Sequence, residues 1–343
     1  MHYFIYPSKD ATIYSGSGTD KLDKNTGLDE ILEIDKRIQP DYLEDNWSRI
    51  LIHFDVSTWA THSNEVYYLN MYDAGSEEIP LTNTLYCYAV SQSWEMGVGK
   101  LDDYPNTTDG VTWKWRDVSG SNDWSSSGGT TYSDNVASQS FEYGTNDLRM
   151  DVTNMVNTWV SGTRVNDGMM IRRSNSEEGD IKNYGKMKFF SKDTNTVYAP
   201  RLDIMWDDST HNPVTTPPLN ADNDIVLYMK GLKETYNEKG KARFKVCGRD
   251  RYPERTFATS SEYQTIKYLP VNTYYSIRDA HTDEVLIPFD DYTKVSFTEA
   301  DGNYFDLWMD SFQPERFYKI VYKVVYTNTT KYFDNDFSFK VVR

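Results

Sequence analysis

Five histidines, His2, His53, His62, His211 and His281, are the only imidazoles in this 343-residue chain, and no two stand at the spacing of a metal or catalytic pair. There is no HExxH, no GxSxG elbow and no GxxxxGK[ST] phosphate cradle; "GVGKLDD" (97–103) has glycines without the spacing. Cys87 and Cys247 form neither a CxxC nor a disulfide framework and are expected to be small packing residues. Carboxylates do gather, in "DYLEDNW" (41–47) and "FDDYTK" (289–294), and two of them at the right separation would suffice for glycoside hydrolysis. In so acidic a chain we read them as solvated turns. "EADGN" (299–303) and "LNADND" (219–224) are too short for an EF-hand loop and are also read as turns.

What remains is an aromatic inventory. Trp47, Trp59, Trp113, Trp115 and Trp124 are many for one region, and exposed indoles are what a sugar-binding face needs. In "VTWKW" the two tryptophans share one side of any strand that holds both. We expect core there, and take Trp124, in the Ser/Gly-rich stretch 120–140, as the strongest candidate for exposure. Should the chain bind a glycan, Trp113, Trp115 and Trp124 are the residues expected to stack on it.

The elements that would carry these residues are almost all strands. Runs such as "RILIHFDV", "TLYCYAV", "GMMIRR" and "RLDIMW" are β-rich and are separated by Gly, Asn, Asp and Ser clusters. One short helix stands among them: in "DVTNMVNTWVSG" (151–162), Val152, Met155, Val156 and Trp159 form an i, i+3, i+4, i+7 stripe, with Asp151 placed to cap and Gly162 to end it. "DDSTHNPVTTPPLNADND" (207–224), with three prolines, interrupts the alternation and reads as a linker. Beyond it, seven or eight short strands have the count and spacing of an immunoglobulin-like sandwich. In "RFYKIVYKVVYT", Phe317, Ile320, Tyr322 and Val324 contrast with Lys319 and Lys323 as a strand with one wet face should. The expected fold is therefore all-β: a jelly-roll β-sandwich with one capping helix over 1–208, a Pro-rich linker over 209–222, and an immunoglobulin-like β-sandwich over 223–343.

Charge and composition narrow the partners. A net charge of −16 argues against nucleic acid, which needs concentrated positive surface. With 38% hydrophobic and 15% aromatic residues, 27 of them tyrosine, the chain is too rich in large side chains for disorder. Tyrosine at that density suits strands and polar interfaces. "MHYFIYPSKDATIYSG" has no basic and apolar signal regions, and no run of about 18 apolar residues occurs, so neither an export signal nor membrane insertion is expected.

"KNTGLDEILEID" (24–35), "SRILIHFDVS" (48–57), "NEVYYLNMYDAG" (64–75), "TLYCYAVSQSWEMGVG" (84–99), "GVTWKW" (110–115), the 151–162 helix, "NDGMMIR" (166–172) and "KMKFFSKD" to "APRLDIMW" (186–206) occur in that order. This succession, over about residues 8–206, resembles the DNRLRE domain family, jelly rolls related to carbohydrate-binding modules and found in bacterial surface proteins and tailed-phage particles. The family's Ser-Trp-glycine matches Ser93, Trp94 and Gly97, and its Arg-to-Phe-Asp strand matches Arg49, Phe54 and Asp55, for which packing and strand ending are expected. The resemblance implies a helix closing one end of the sandwich with Trp159 as plug. In related jelly rolls a structural calcium ion is often held from the first and last strands, which here would make Asp10 and Asp203 its ligands; the alternative is that they merely flank strand ends, and no other cofactor is expected. The second half resembles virion proteins of tailed phages. Together they imply a non-enzymatic virion protein, assembled in the host cytoplasm, meeting other virion proteins in multiple symmetric copies. The alternative is a carbohydrate-binding surface or host-attachment module touching a host surface glycan; an accessory to polysaccharide breakdown ranks last.

Overall fold

Leu32 and Ile34 are buried while Ile31, Glu33 and Asp35 between them stay half-exposed, the period-two burial that makes Ile31–Arg37 a strand with one wet face. The same rule organises most of the chain. A computed structural model describes residues 1–16, 21–37, 46–107, 109–142, 146–219, 224–252, 267–326 and 329–343. Residues 41–45 of "DYLEDNW" and 220–223 of "LNADND" lie outside the described residues. The chain divides into two compact units, Ile5–Ile204, and Met205–Arg343 together with Met1–Phe4.

The first elements are β1 (His2–Ile5), β2 (Lys9–Tyr14), β3 (Ile31–Arg37), β4 (Asn46–His53), β5 (Val66–Met71), β6 (Asn83–Ala89), β7 (Trp115–Asp117) and β8 (Asn122–Asp123). They are followed by β9 (Ala137–Phe141), β10 (Leu148–Asp151), α1 (Thr153–Val160), β11 (Met169–Arg172), α2 (Asn175–Glu178), β12 (Gly185–Phe190) and β13 (Arg201–Met205). One sheet runs β13-β5-β10; a larger one runs β12-β3-β4-β11-β6-β9, with β2 also paired to β4.

Register decides which side chains share a face. In the larger sheet Ile52 lies opposite Met169 and Ile50 opposite Ile171, which in turn lies opposite Cys87. All five are fully buried, an inner face read off directly from β-branched and sulfur side chains. In the smaller sheet Leu148 opposes Met71 and Met150 opposes Leu69, again all buried.

Part of the opposite face of the larger sheet is covered as well. There Ala11, Ile13, Leu51 and Met170 form a second core with Val90, Trp94, Val111 and Trp124, all supplied by the long connection from β6 to β9, with Met96 and Trp113 packed against it. The Ser/Gly-rich stretch 120–140 was expected to pack little; instead its Trp124 enters this core. Asn25 locks the cover. Its Nδ2 donates to Met96 O at 2.7 Å and Val111 O at 2.9 Å, and its Oδ1 accepts from Gly99 N at 2.8 Å. Gly110, at φ +65°, leaves no room for a Cβ, which would lie 2.6 Å from Asn25 Nδ2.

Helix α1 buries Met155, Val156 and Trp159 as its stripe requires. Asp151 Oδ1 accepts Thr153 N–H at 2.9 Å, although the N-cap position belongs to Val152, and Gly162, at φ +71°, ends the helix. Thr153 Oγ1 accepts Tyr67 N–H, tying the helix to β5.

The C-terminal unit adds β14 (His211–Asn212), β15 (Ile225–Lys230), β16 (Thr235–Asn237), β17 (Lys241–Asp250), β18 (Thr273–Asp279) and β19 (Val285–Ile287). Then come β20 (Ser296–Thr298), β21 (Gly302–Trp308), β22 (Phe317–Val325) and β23 (Thr330–Val342). Its sheets run β14-β20-β21-β17-β15 and β16-β23-β22-β18-β19, with β16 parallel to β23. Taken as A (β15), A′ (β16), B, C, C′, D, E, F and G (β23), these are A-B-E-D and A′-G-F-C-C′, the immunoglobulin arrangement with β14 added at an edge. Phe305 stacks on Phe244 at 5.3 Å and on Tyr275 at 4.0 Å in the core. Tyr318, at the start of strand F, is buried and donates its hydroxyl to Gln313 O at 2.9 Å, a tyrosine corner. In β22 the inward residues are Tyr318, Ile320, Tyr322 and Val324; Phe317, expected to share their apolar face, is 56% exposed because strand parity turns it outward.

The expected linker is partly structured. His211 and Asn212 pair with Phe297 and Thr298, and Glu299 accepts the Thr216 hydroxyl and the N–H groups of Val214, Thr215 and Thr216, which hold its carboxyl down at about 2. Met1–Phe4 belong with this unit rather than with residues 5–204: His2 Nε2 meets Asp290 at 2.9 Å, Tyr3 donates to Asp310, and Phe4 packs edge-on against Phe312.

Candidate functional site

The two-residue repeat that places Arg49 on β4 and Arg172 on β11 sends both guanidinium groups to the covered outer face, where α2 supplies their counter-charge. Ser174 and Glu177 form a capping box that fixes α2 and so positions Glu178. Glu178 accepts from Arg49 Nε at 3.0 Å and Nη2 at 2.6 Å, and from Arg172 Nη1 at 2.9 Å. Arg49 also lies 4.7 Å from the Trp113 ring centroid and donates to Gly128 O, while Arg172 lies 4.8 Å from the Tyr88 centroid. Burial pulls the Arg49 guanidinium below its usual range and Glu178 pushes back. Both guanidinium groups are anchored on the one carboxylate, which gives Arg49 a structural part in this fold; Arg172 Nε has no acceptor among the described residues.

The tryptophans expected on a glycan face separate. Trp124 is buried, and its Nε1 donates to Thr112 O at 3.2 Å, so the exposure expected of it does not occur; Ser/Gly composition made the stretch pliable enough to fold down, not free. Trp113 precedes β7 and Trp115 opens it, so they share no strand. Trp113 packs between the second core, Arg49 and Trp47, whereas Trp115 stays half-exposed beneath Lys114, whose Nζ lies 4.5 Å from its ring. The structure does not assemble these three as one stacking surface.

Asp10 and Asp203 are both buried but lie on strands of different sheets. Asp10 accepts Lys192 N–H at 2.7 Å, and burial pushes its carboxyl up to about 7. Asp203 meets Arg149 Nη1 at 3.4 Å, and the same guanidinium bonds Asn70 Oδ1. Each carboxylate thus has its own partner, Lys192 N–H for Asp10 and the Arg149 guanidinium for Asp203. Among the described residues no three His, Cys, Asp or Glu side chains gather to hold a metal ion.

Sequence reasoning counted Trp59 but gave it no role. A cavity of about 310 Å³ is lined by His53, Asp55, Val56, Ser57, Trp59, Trp159, Val160 and Asn166. Trp59 is held from behind: Glu65, whose side chain is 4% exposed, accepts Trp59 Nε1 at 3.0 Å, His62 N at 2.6 Å and His62 Nδ1 at 2.9 Å, and also the Tyr67 hydroxyl. His53 donates from Nε2 to Asn166 O at 3.3 Å, which leaves Nδ1 to accept from Ser8 Oγ at 2.6 Å; burial lowers its affinity for a second proton. Asp55 is exposed and takes Ser57 N–H at 2.9 Å; hydrogen bonds from Ser57 keep it ionised. The Nε1–H of Trp159 has no acceptor among the described residues. The only sequence sign of this hollow is the i, i+7 reach of α1, which sets Trp159 at the helix end nearest the β4 exit.

A second hollow, about 550 Å³, lies in the C-terminal unit beside Asp279, His281, Glu315, Arg316 and Phe317. Its charges pair internally, Arg316 with Asp279 at 2.8 Å and Glu315 with Lys340 at 2.5 Å.

These features define a two-unit all-β sandwich protein with two buried arginines on a shared carboxylate and, among the described residues, an aromatic hollow beside α1. No protein-family model matches the chain, and no curated protein matches it. Among solved structures it aligns with beta-glucuronidase 3 of Bacteroides uniformis at 10% identity, covering 99% of this chain and 35% of that one, TM-score 0.24. A Parabacteroides merdae beta-glucuronidase aligns at 9% identity over 99% of this chain and 36% of that one, TM-score 0.25. A DUF4785 family protein of Legionella pneumophila aligns at 8% identity over 100% and 64%, TM-score 0.19. The chain thus spans about a third of the glucuronidases' length, and superpositions this loose carry no argument about fold or function.

Proposed function

We propose that this chain is a non-enzymatic structural component of a tailed-bacteriophage virion, present in several symmetric copies and working through protein–protein interfaces. The observation that carries the reading is the covered middle of the larger sheet's outer face: the β6–β9 connection packs Trp94, Val111 and Trp124 onto Ala11, Ile13, Leu51 and Met170, and Arg49 and Arg172 share the Glu178 carboxylate there. Side chains tied together in this way serve packing, which suits a protein that meets partners through its outer surfaces. The virion assignment itself is supported by the ordered DNRLRE-like segments. Mass spectrometry of purified particles tests it, with stoichiometric recovery of the chain expected and its absence from particles contradicting it.

A second reading, a host-attachment module that holds carbohydrate, is favoured by one observation, the Trp59 cavity.

A further inference from the structure

We propose that the hollow between the β4 exit and the end of α1 is a binding site for one neutral sugar ring, with Trp59 as its stacking platform and Asp55 as its hydroxyl acceptor. The inference rests on the carbohydrate reading above and is independent of whether the chain belongs to a phage particle.

Size comes first. At about 310 Å³ the hollow stands at the lower end of the range for small-molecule sites, room for a single ring and not for an extended chain. Its wall has the mixture such sites use, two indoles and two valines with a few polar groups among them.

Trp59 is built as a platform. It is half-buried, in a loop where a tryptophan adds little to either core, yet a buried carboxylate fixes its indole nitrogen and the His62 ring lies 5.4 Å from its centroid. Glu65 thereby spends a carboxylate that is 4% exposed on four donors around one exposed loop. A ring held still before its partner arrives gives up little side-chain entropy on binding. The flat C–H face of a pyranose, apolar and slightly positive, matches the negative face of such an indole.

Polarity then selects the ligand. Asp55 is exposed at the rim with Ser57 beside it, an acceptor suited to adjacent hydroxyl groups. His53 and Asn166 are tied to the backbone and to Ser8, so they shape the wall and hold no charge to attract an anion. With a carboxylate at the mouth and a chain of net charge −16, an acidic sugar is repelled. The Trp159 N–H, buried and without an acceptor among the described residues, is a donor of the same wall that a bridging water would satisfy.

The test titrates the full chain with the methyl glycosides of a neutral hexose, an N-acetylhexosamine, a 6-deoxyhexose and a hexuronic acid, read by saturation-transfer NMR and tryptophan fluorescence. At least one neutral glycoside is expected to bind and to perturb the fluorescence, and the hexuronide to bind more weakly than it. Trp59→Ala and Asp55→Ala are each expected to weaken binding by about tenfold or more. Asp55 lies at the surface, so its variant keeps the native melting temperature and separates lost binding from lost fold. Absence of transfer to every neutral glycoside, preference for the hexuronide, or undiminished binding by both variants would overturn the proposal. None of these outcomes changes whether the chain is found in virions.

Discussion

Arg49 stacks on Trp113 with its guanidinium carbon 4.7 Å from the ring centroid, and this contact joins the sheet to the segment that covers it. The same guanidinium is clamped by Glu178, whose side chain is 5% exposed. Removing the carboxylate by Glu178→Ala strands two buried cations, Arg49 and Arg172, and is expected to cost about 3–5 kcal/mol. Urea unfolding measures it. Near-native stability in the variant would mean that water reaches these cations and that the cover is loose.

Trp124 and Trp115 separate the two accounts of the tryptophan-rich stretch. As a member of the second core, Trp124 is expected to cost about 3–5 kcal/mol on substitution to alanine. Half-exposed Trp115 should cost about 1 kcal/mol or less. Comparable melting temperatures for the two variants would contradict the packing described for the β6–β9 connection.

Asp10 makes stability depend on pH in a particular direction. Its folded carboxyl titrates at about 7 against an ordinary 3.8, because burial disfavours the charge. Between those values the folded state holds a proton that the unfolded chain releases, so this group's contribution declines as pH rises through that window and stays diminished above it. Asp10→Asn keeps an acceptor for Lys192 N–H without the charge. The variant should melt higher than the native chain at about pH 8, by an amount reflecting at most roughly 4 kcal/mol, and gain nothing at about pH 4. A gain that is the same at both pH values would mean that Asp10 is not buried as described.

The tyrosine corner offers a test confined to the C-terminal unit. Tyr318→Phe leaves Gln313 O without its donor and should cost about 1–3 kcal/mol, read by chemical denaturation. No measurable loss would mean the hydroxyl bond is not formed in solution.

Much of this architecture was legible in residue order, because burial of every second residue in strands such as Ile31–Arg37 and of the Met155–Trp159 stripe leaves a plain periodic trace. The immunoglobulin-like arrangement followed from strand count and spacing. What periodicity does not encode is what covers an outer face. Trp124 sits in a segment whose composition suggests freedom, and its burial depends on Leu51 and Met170, far away in sequence. Nor does it encode pairings between distant carboxylates and cations: Asp203 looks available for a metal until Arg149 is placed beside it. The Trp59 hollow was hidden for the same reason, since its walls come from the β4 exit and a helix about a hundred residues later.

The proposal that this chain is a building part of a virus particle, meeting its neighbours through the outer surfaces of its β-sandwiches, stands or falls on where the chain is found. A cryo-electron reconstruction of purified particles, with the chain traced in its density, measures that most directly. Repeated copies related by particle symmetry are expected, contacting neighbours through strand surfaces while the Arg49–Glu178–Arg172 group stays enclosed. Particles that lack the chain, or a purified chain that turns over a substrate at a site made from its own residues, would contradict it.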